Sequence, residues 1–361
     1  MRLVAIGDLS LNGYYHNRLA RNSFDPLKEI TSWNSTDLIV GNLESPITAT
    51  PRVAPSKCTL RGSTEAYQLF AKHNMQVFSV ANNHMMDFGP AGLTDTLKYL
   101  DTFDVKHVGG GESLYAANQP LIMEQAGQRV AFLAFCDVDQ KSPLYAGETT
   151  TGVAPWLGEH SLDAIRLAKT HVDWLVVFMH WGVEMSRLPT EEQRITGRKV
   201  IEAGADAILG SHPHVLQPIE HYGGRPIAYS LGNFLFSPMY WRGTNADGEP
   251  FCSKLRLHPL SRRTGWLEID FENSHSVTWH FHPARLGHSL NIYPGWPSSW
   301  KKEWDTLCNL MESENYGPHS QEETARGYER TFQRWNGKSL WRRMEMRLFH
   351  HGLIQRGRDT Q

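Results

Sequence analysis

The stretch Trp174-Leu-Val-Val-Phe-Met-His180-Trp-Gly182 begins the part of the sequence that decides the fold. Two similar stretches follow it, Ala207-Ile-Leu-Gly-Ser-His212-Pro-His214 and Ile227-Ala-Tyr-Ser-Leu-Gly-Asn233-Phe234. Each starts with a short apolar run, and such runs beside Gly or Pro are typical of buried strands. Each continues into polar side chains. Because ligands of open α/β sheets bind beyond the carboxyl ends of the strands, the three stretches predict a binding site there.

The same pattern occurs earlier in the chain, where three more apolar runs lead into polar clusters. These are Leu3–Ile6 before Gly7-Asp8, Asp37–Val40 before Gly41-Asn-Leu-Glu44, and Gln76–Val80 before Ala81-Asn-Asn-His84. In the later stretch, His212 and His214 lie two positions apart. Side chains at that spacing on extended backbone point the same way, which suits metal coordination.

Histidine pairs can also arise by chance, since the chain has 18 histidines in 361 residues. We expect His280 and His282 to be such a pair, on a solvated strand face. At His212 and His214 the recurrence of ligand-type residues at strand after strand favours a metal site.

The strand-end residues include carboxylates, amides and imidazoles, which are too many ligands for one tetrahedral zinc. They suit two metal ions that share a carboxylate and a bridging hydroxide. Mixed nitrogen and oxygen ligands without thiolate favour Mn, Fe or Zn. The strand-end residues are Asp8, Asn42, Glu44, Asn83, His84, His180, His212 and His214.

Length and composition predict one large α/β domain with an appendage. A net charge of -2 argues against a general nucleic-acid binder. The four cysteines include no Cys-x-x-Cys, which is typical of reduced thiols in the cytoplasm. Met1-Arg2 leads directly into the first apolar run, which is too short for a signal peptide or a membrane span. We therefore expect a soluble, cytoplasmic protein.

Helices predicted between the strands make βαβ crossovers, and hence parallel strand pairs. The helix after His180 begins with the capping box Thr190-Glu-Glu-Gln193 and ends at Gly204. The other predicted elements are helices at Phe24–Ser32, Glu65–His73, Gly92–Leu100, Ser161–His171, Glu322–Trp335 and Leu340–Phe349, a loop at Ser237–Ser261, and an antiparallel strand pair at Gly265–Phe271 and Ser276–His282.

The motifs containing Glu44, His84, His180, His214 and Asn233 resemble those of the CapA family of poly-γ-glutamate capsule biosynthesis proteins. The resemblance implies an α/β fold of the calcineurin-like metallophosphoesterase type, with mixed β-sheets sandwiched with helices. It covers a predicted CapA-like metallophosphatase domain at residues 1–286. Residues 287–361, a Trp- and Arg-rich C-terminal helical extension, lie outside it, and we expect this extension to be dispensable for the metal site.

The resemblance also implies roles for the strand-end residues. For the first metal, it implies Asp8 and His214 as ligands. Glu44 is the bridging carboxylate, although strict alignment of the motif would place Asn42 there. Ser10 replaces the histidine that the phosphoesterase pattern has two residues after its first aspartate, and this departure weakens the first metal site.

For the second metal, the resemblance implies Asn83, His180 and His212 as ligands. It makes His84 the general acid. Candidates for substrate or supporting contacts are Asn42, Arg61, Glu184 and Asn233.

Two classes of function remain open. The first is a metal-dependent hydrolase that acts on a phosphoester or a γ-glutamyl amide. The second is a non-catalytic metal- or polymer-binding assembly factor for capsule or exopolysaccharide production, with partners in a biosynthetic complex. The tail also carries basic residues that could contact an anionic membrane surface, although packing of an amphipathic helix on the domain is the favoured alternative. These residues are Arg342, Arg343, Arg347, Arg356 and Arg358.

Overall fold

The computed structural model describes residues 1–21, 24–51, 58–138, 144–244, 250–272 and 276–335. In chain order the strands are β1 (Arg2–Ser10), β2 (Leu38–Leu43), β3 (Met75–Ser79), β4 (Lys106–Val108), β5 (Gly110–Gly111), β6 (Leu121–Gln125), β7 (Gln128–Asp137), β8 (Gly152–Val153), β9 (Trp174–Trp181), β10 (Ala207–Ser211), β11 (Leu216–Tyr222), β12 (Arg225–Leu231), β13 (Asn233–Phe236), β14 (Met239–Thr244), β15 (Pro250–Leu255), β16 (Arg263–Phe271), β17 (Val277–Leu286) and β18 (Ile292–Pro294). The helices are α1 (Tyr14–Leu19), α2 (Ala66–Lys72), α3 (Gly89–Thr102), α4 (Leu114–Ala117), α5 (Glu159–Lys169), α6 (Glu191–Glu202), α7 (Ser298–Met311) and α8 (Tyr316–Trp335), with a 3₁₀ turn at Pro259–Arg262.

Two large sheets form the centre of the fold. The first has the order β18-β17-β16-β1-β2-β3-β4, with β13 paired to the end of β1, and the second has the order β11-β12-β10-β9-β7-β6. Strands β1 to β4 run parallel, as do β7, β9, β10 and β12. Parallel strands deliver their carboxyl ends to one edge of a sheet, so each sheet gathers its strand-end residues on one side.

The second sheet is buried on both faces, and its side chains alternate between two cores. On β9, Val176 and Phe178 pack in the core shared with the first sheet. Val177 and Met179 point the other way, into the core formed with helices α5 and α6. Helices α2 and α3 pack on the first sheet. The α/β class, with two mixed sheets between helices as expected of a calcineurin-like fold, is therefore confirmed.

Most of the predicted helices and strands are confirmed, including the antiparallel pair β16 and β17. The capping box at Thr190 forms as predicted: its hydroxyl accepts from the amide of Gln193, and the Gln193 side chain accepts from the amide of Thr190. Helix α8 spans the predicted segment Glu322–Trp335 and begins earlier, at Tyr316.

Two predictions are wrong. The segment Phe24–Ser32, predicted to be a helix, forms turns instead. The helix before it in the chain, α1, ends at Leu19. The Asp25 carboxylate accepts a hydrogen bond from the amide of Leu27 (3.0 Å), and the carbonyl of Pro26 accepts one from the amide of Ile292 of β18 (2.8 Å). The Leu27 amide and the Pro26 carbonyl therefore make no helical hydrogen bonds. The predicted loop Ser237–Ser261 contains β14, β15 and the 3₁₀ turn. Strands β14 and β15 pair as an antiparallel hairpin separate from both large sheets, and β14 contains Tyr240 and Trp241, aromatic residues of the kind enriched in strands.

The region after residue 286 continues the first sheet before it becomes helical. Strand β18 pairs with β17, and helices α7 and α8 follow. The domain boundary at 286 stays a prediction. The predicted helix Leu340–Phe349 and the basic tail lie outside the described residues. Within the described part of the chain, no helix has both the length and the apolar character needed to span a bilayer.

Candidate metal centre

The end of β1 approaches the segment just before β13, and Asp8 lies at this point, at the carboxyl end of its strand. The amide of Asp8 donates to the carbonyl of Gly232 (2.8 Å), and Asp8 is in register with Asn42 and Asn233 on either side. A Cβ at Gly7 would lie 2.0 Å from the same Gly232 carbonyl oxygen. Only glycine at position 7 therefore allows the strand end to come this near.

Asp8, Glu44 and His214 form the first ligand cluster. One potential ligand atom from each lies within 4.8 Å of the others. His214 Nδ1 is 3.4 Å from Asp8 Oδ2, and His214 Nε2 is 3.5 Å from Glu44 Oε1. All three side chains are buried. His214 Nδ1 also lies 3.0 Å from Asn233 Oδ1, which holds the His214 ring in place. Asn42 donates to Asp8 Oδ1 at 2.9 Å, which holds the Asp8 carboxylate in place.

Asn83, His180 and His212 form the second cluster, which lies beside the first. His180 Nε2 is 3.0 Å from Asn83 Oδ1, and His180 Nδ1 is 2.8 Å from the Ser211 hydroxyl. The ring of His212 is 4.9 Å from that of His180 and 6.1 Å from that of His214. Nδ1 of His212 is buried and has no hydrogen-bond partner among the described atoms.

The backbone around these histidines adopts strained conformations. Met185, His212 and His214 have positive φ angles of 63°, 93° and 58°. The amide of Met185 donates to the carbonyl of Pro213 at 2.8 Å, so the three strained residues belong to one connected unit. Non-glycine residues of this kind cluster at functional sites, where the surrounding structure has to hold them.

His84 stands at the edge of the first cluster without joining it. Its Nε2 lies 3.9 Å from Glu44 Oε1, and its Nδ1 lies 2.9 Å from Asp87 Oδ2. The backbone amide of Leu60 donates to the same Asp87 oxygen at 2.8 Å. The amide of His84 donates to Asn82 Oδ1 at 3.1 Å. His84 is thus oriented on both sides, with Nε2 towards the clusters.

The buried carboxylates create a strongly negative site. Burial acts to lower the pKa of His214, but the charges of Glu44 and Asp8 outweigh it and raise that pKa to about 9. Burial lowers the pKa of His212 to about 4, so this ring is neutral and able to act as a ligand. A buried carboxylate pair that attracts positive charge, next to neutral imidazole and amide donors, fits a divalent cation.

The supporting residues predicted from the sequence are found in different environments. Asn42 and Asn233 contact Asp8 and His214, as described above. The carboxylate of Glu184 is half-buried, and its charge acts on His212 and His214. Arg61 is exposed: it donates to the carbonyl of Thr50 (2.7 Å) and lies over the ring of Phe88 (4.4 Å).

Ser10, where the phosphoesterase resemblance leads us to expect a histidine, is fully buried, and its hydroxyl has no hydrogen-bond partner among the described residues. His280 is exposed as expected, whereas His282 is half-buried and stacks on Trp266.

Sequence reasoning missed residues that orient the site. Asp87 and Asn82 hold His84, and Ser211 holds His180. Asp87 follows His84 by three positions in the segment after β3, and this spacing is the signal that could have suggested the first of these contacts. For Ser211 the signal was its position beside His212.

Comparisons with known proteins give the family. Residues 2–238 match the family model described as bacterial capsule synthesis protein PGA_cap. The PGA biosynthesis protein CapA of Bacillus subtilis (strain 168) is 33% identical over 278 residues, which are 76% of this chain and 71% of the relative. The capsule biosynthesis protein CapA of Bacillus anthracis is 29% identical over 258 residues, which are 67% of this chain and 61% of the relative.

Among solved structures, a putative 5'-nucleotidase from Staphylococcus aureus, in complex with alpha-ketoglutarate, is 13% identical with a TM-score of 0.44. The match covers 86% of this chain and 58% of that one. The chain belongs to the PGA_cap family of bacterial capsule synthesis proteins, the CapA family that its motifs resemble.

Proposed function

We propose that this protein is a metal-dependent hydrolase of capsule or poly-γ-glutamate biosynthesis that acts on a phosphoester or a γ-glutamyl amide. The observation that carries the proposal is the pair of adjacent clusters, Asp8 with Glu44 and His214, and His180 with Asn83 and His212. Two ligand sets side by side are the arrangement used by two-metal hydrolases.

In this proposal each cluster holds one divalent ion, with Mn, Fe or Zn as candidates. Asp8 and His214 would hold the first ion, His180, His212 and Asn83 would hold the second, and Glu44, which lies in the first cluster, would supply the carboxylate that the resemblance assigns to both. When bound, the ions would activate a water molecule and neutralise the charge that develops on the reacting group.

The remaining residues of the site orient the ligands and handle the proton. Asn42 holds the Asp8 carboxylate and Asn233 holds the His214 ring, so the first set is fixed before metal binds. His84 presents Nε2 to the site and is proposed to protonate the leaving oxygen or nitrogen. Asp87, which contacts Nδ1, would stabilise the imidazolium form required for this role.

One observation supports the second class of function, a metal- or polymer-binding assembly factor without turnover. Ser10 supplies no imidazole where the phosphoesterase pattern has a histidine, so Asp8 and His214 have one fewer partner in the first set. A loosely held first ion would favour binding over catalysis. The complete second set favours hydrolysis, and we retain the hydrolase as the proposal.

The two functions can be distinguished with purified protein. The apoprotein is loaded with Mn²⁺, Fe²⁺ or Zn²⁺, bound metal is measured by elemental analysis, and turnover is measured on nitrophenyl phosphate esters and a γ-glutamyl anilide. The variant Asp8→Asn keeps the side-chain shape and should lose both metal and turnover. Its control is Asp270→Asn on β16, a partly exposed residue paired with Arg2, which should lose neither.

Bound metal with turnover of either substrate class, abolished in Asp8→Asn, supports the hydrolase. Bound metal with no turnover of any substrate overturns the hydrolase and leaves the assembly factor. If the wild-type protein retains no metal, the metal centre itself is wrong.

A further inference from the structure

A buried ion network connects helix α8 to the loop that follows β9. The side chain of Glu323 is 5% exposed, and its Oε1 accepts from Arg330 Nη1 (2.5 Å) and Arg187 Nε (3.1 Å). The backbone amide of Arg187 donates to the same oxygen at 3.2 Å. A carboxylate that accepts three donors on one atom fixes the helix and the loop against each other.

From this network the contacts continue to the metal-site histidines. Arg330 Nη1 donates to the carbonyl of Met185 at 3.0 Å. On its other side Met185 donates its own amide to the carbonyl of Pro213 at 2.8 Å. Pro213 lies between His212 and His214, so one strained residue joins the helix to the segment that bears two proposed ligands.

Helix α8 also approaches the loop backbone directly. A Cβ at Gly327 would lie 2.9 Å from both the carbonyl oxygen of Glu184 and the amide nitrogen of Ser186. The hydroxyl of Thr331 lies 3.4 Å from the same Glu184 oxygen. The helix therefore contacts the loop on both sides of Met185.

We infer that helix α8 is a positioning element of the metal centre, and that Arg330 and Glu323 are positioning residues that hold the backbone of His212-Pro213-His214 through Met185. The metal-related part of this inference rests on the proposed function; the backbone part does not. The helix lies beyond residues 2–238, the segment matched by the family. The inference replaces the expectation that the C-terminal extension is dispensable for the site.

The physical need for such an element comes from the positive φ angles of Met185, His212 and His214. Such conformations persist only where surrounding contacts hold them, and ligands held loosely bind metal weakly. Without the Arg330 contact, the Met185 carbonyl loses its charged donor and the loop can relax. A helix that served only to cover apolar surface would lower stability on mutation but would leave the ligand geometry of the folded protein intact.

The test compares two variants of the full chain, Arg330→Met and Arg326→Met. The two arginines lie about one turn apart on helix α8. Arg326 is half exposed and pairs with Glu322; its contact with Glu323 is at 3.8 Å to Oε2, not to the Oε1 atom that accepts from Arg330 and Arg187. Its replacement therefore controls for the loss of an arginine from α8. Two measurements are made well below the unfolding temperature: the Kd for Mn²⁺ by calorimetry, and hydrogen exchange of the peptide carrying the Met185 amide.

We expect Arg330→Met to raise the Kd by about 10–100-fold, the usual effect of losing a group that orients a ligand. Exchange at Met185 should accelerate by roughly tenfold or more, because its bond to Pro213 opens more often. Arg326→Met should match the wild type in both. A second variant, Gly327→Ala, keeps the ion network but pushes on the loop, and it should change both quantities in the same direction.

Wild-type exchange at Met185 in both Arg330→Met and Gly327→Ala overturns the inference. So does an unchanged Kd in both variants when the wild type binds Mn²⁺. If the wild type binds no metal, the proposed function fails, and the exchange measurement alone decides whether α8 holds this backbone.

Discussion

Nε2 of His180 lies 3.0 Å from Oδ1 of Asn83, and this contact joins the two large sheets. Asn83 follows β3 of the first sheet, whereas His180 belongs to β9 of the second. The candidate metal centre is therefore built where the carboxyl ends of two sheets meet, and each sheet supplies ligands. A residue change that leaves each sheet intact but removes one ligand should affect metal binding far more than stability.

The first prediction uses this separation. His212→Ala should lower bound metal sharply, because loss of a direct ligand costs more than the 10–100-fold typical of outer partners. His280→Ala is the control, since His280 is an exposed histidine in a His-x-His pair on β17. Metal content is measured by elemental analysis after dialysis. Equal metal content in His212→Ala and the wild type would remove His212 from the ligand set.

A matched pair of serine changes tests which hydroxyls matter to the site. Ser211→Ala removes the partner of His180 Nδ1 and should weaken metal binding by about 10-fold. Ser10→Ala removes a buried hydroxyl that has no partner among the described residues, so stability should stay within about 1 kcal/mol of the wild type. Metal affinity should also be unchanged in Ser10→Ala. A fall in affinity there would show that the Ser10 hydroxyl serves as a ligand.

The strand-end positions of Asp8, Glu44 and His214 could be predicted from sequence, because each follows a local apolar run whose end is visible in the pattern. Their convergence follows from the parallel order of the strands, which crossover helices predict. The contact between Arg330 and Met185 could not be predicted. It joins residues 145 positions apart, and it depends on how a helix outside the family resemblance packs, which no local periodicity records.

Two further misses have the same origin. In the turn after Asp25, the carbonyl of Pro26 accepts from the amide of Ile292, a residue far along the chain. The hairpin β14–β15 is held by strand pairing that the composition of a Gly- and Pro-containing segment does not reveal. The hydrophobic periodicity of a sequence reveals a helix or strand that buries one face against a core. It does not reveal a conformation that is decided by a partner strand or by a residue far along the chain.

The ion network of helix α8 gives a pH-dependent prediction. Burial alone would raise the pKa of Glu323, but its bonds to Arg330 and Arg187 outweigh burial and hold it below the ordinary value of 4.5. A lowered pKa in the folded state means that the stabilisation is fully present above that ordinary value. It is lost as the pH falls through the lower folded-state pKa.

Glu323→Gln should therefore lower the free energy of unfolding by about 1–3 kcal/mol at neutral pH. The difference from the wild type should shrink as the pH is lowered, because the wild-type carboxylate then becomes protonated. Urea unfolding at a series of pH values measures it. Glu322→Gln, at an exposed site on the same helix, should show neither effect. A Glu323→Gln difference that persists unchanged into acid would exclude an electrostatic origin.

The final prediction concerns His84, whose Nε2 lies 3.9 Å from Glu44 Oε1 while Nδ1 contacts Asp87. In the proposed hydrolase this residue gives a proton to the leaving group and binds no metal. His84→Asn should then keep the wild-type metal content while lowering kcat by about 10²–10⁴-fold, the usual share of a general acid. The loss should be much smaller for a nitrophenyl ester, whose leaving group scarcely needs a proton, than for an alkyl ester.

Asp87→Asn should lower kcat in the same substrate-dependent way, but by less, because it only weakens the imidazolium form of His84. Steady-state kinetics on both esters, together with metal analysis, test this. If His84→Asn loses its metal, or loses the same activity on both esters, His84 is not the general acid.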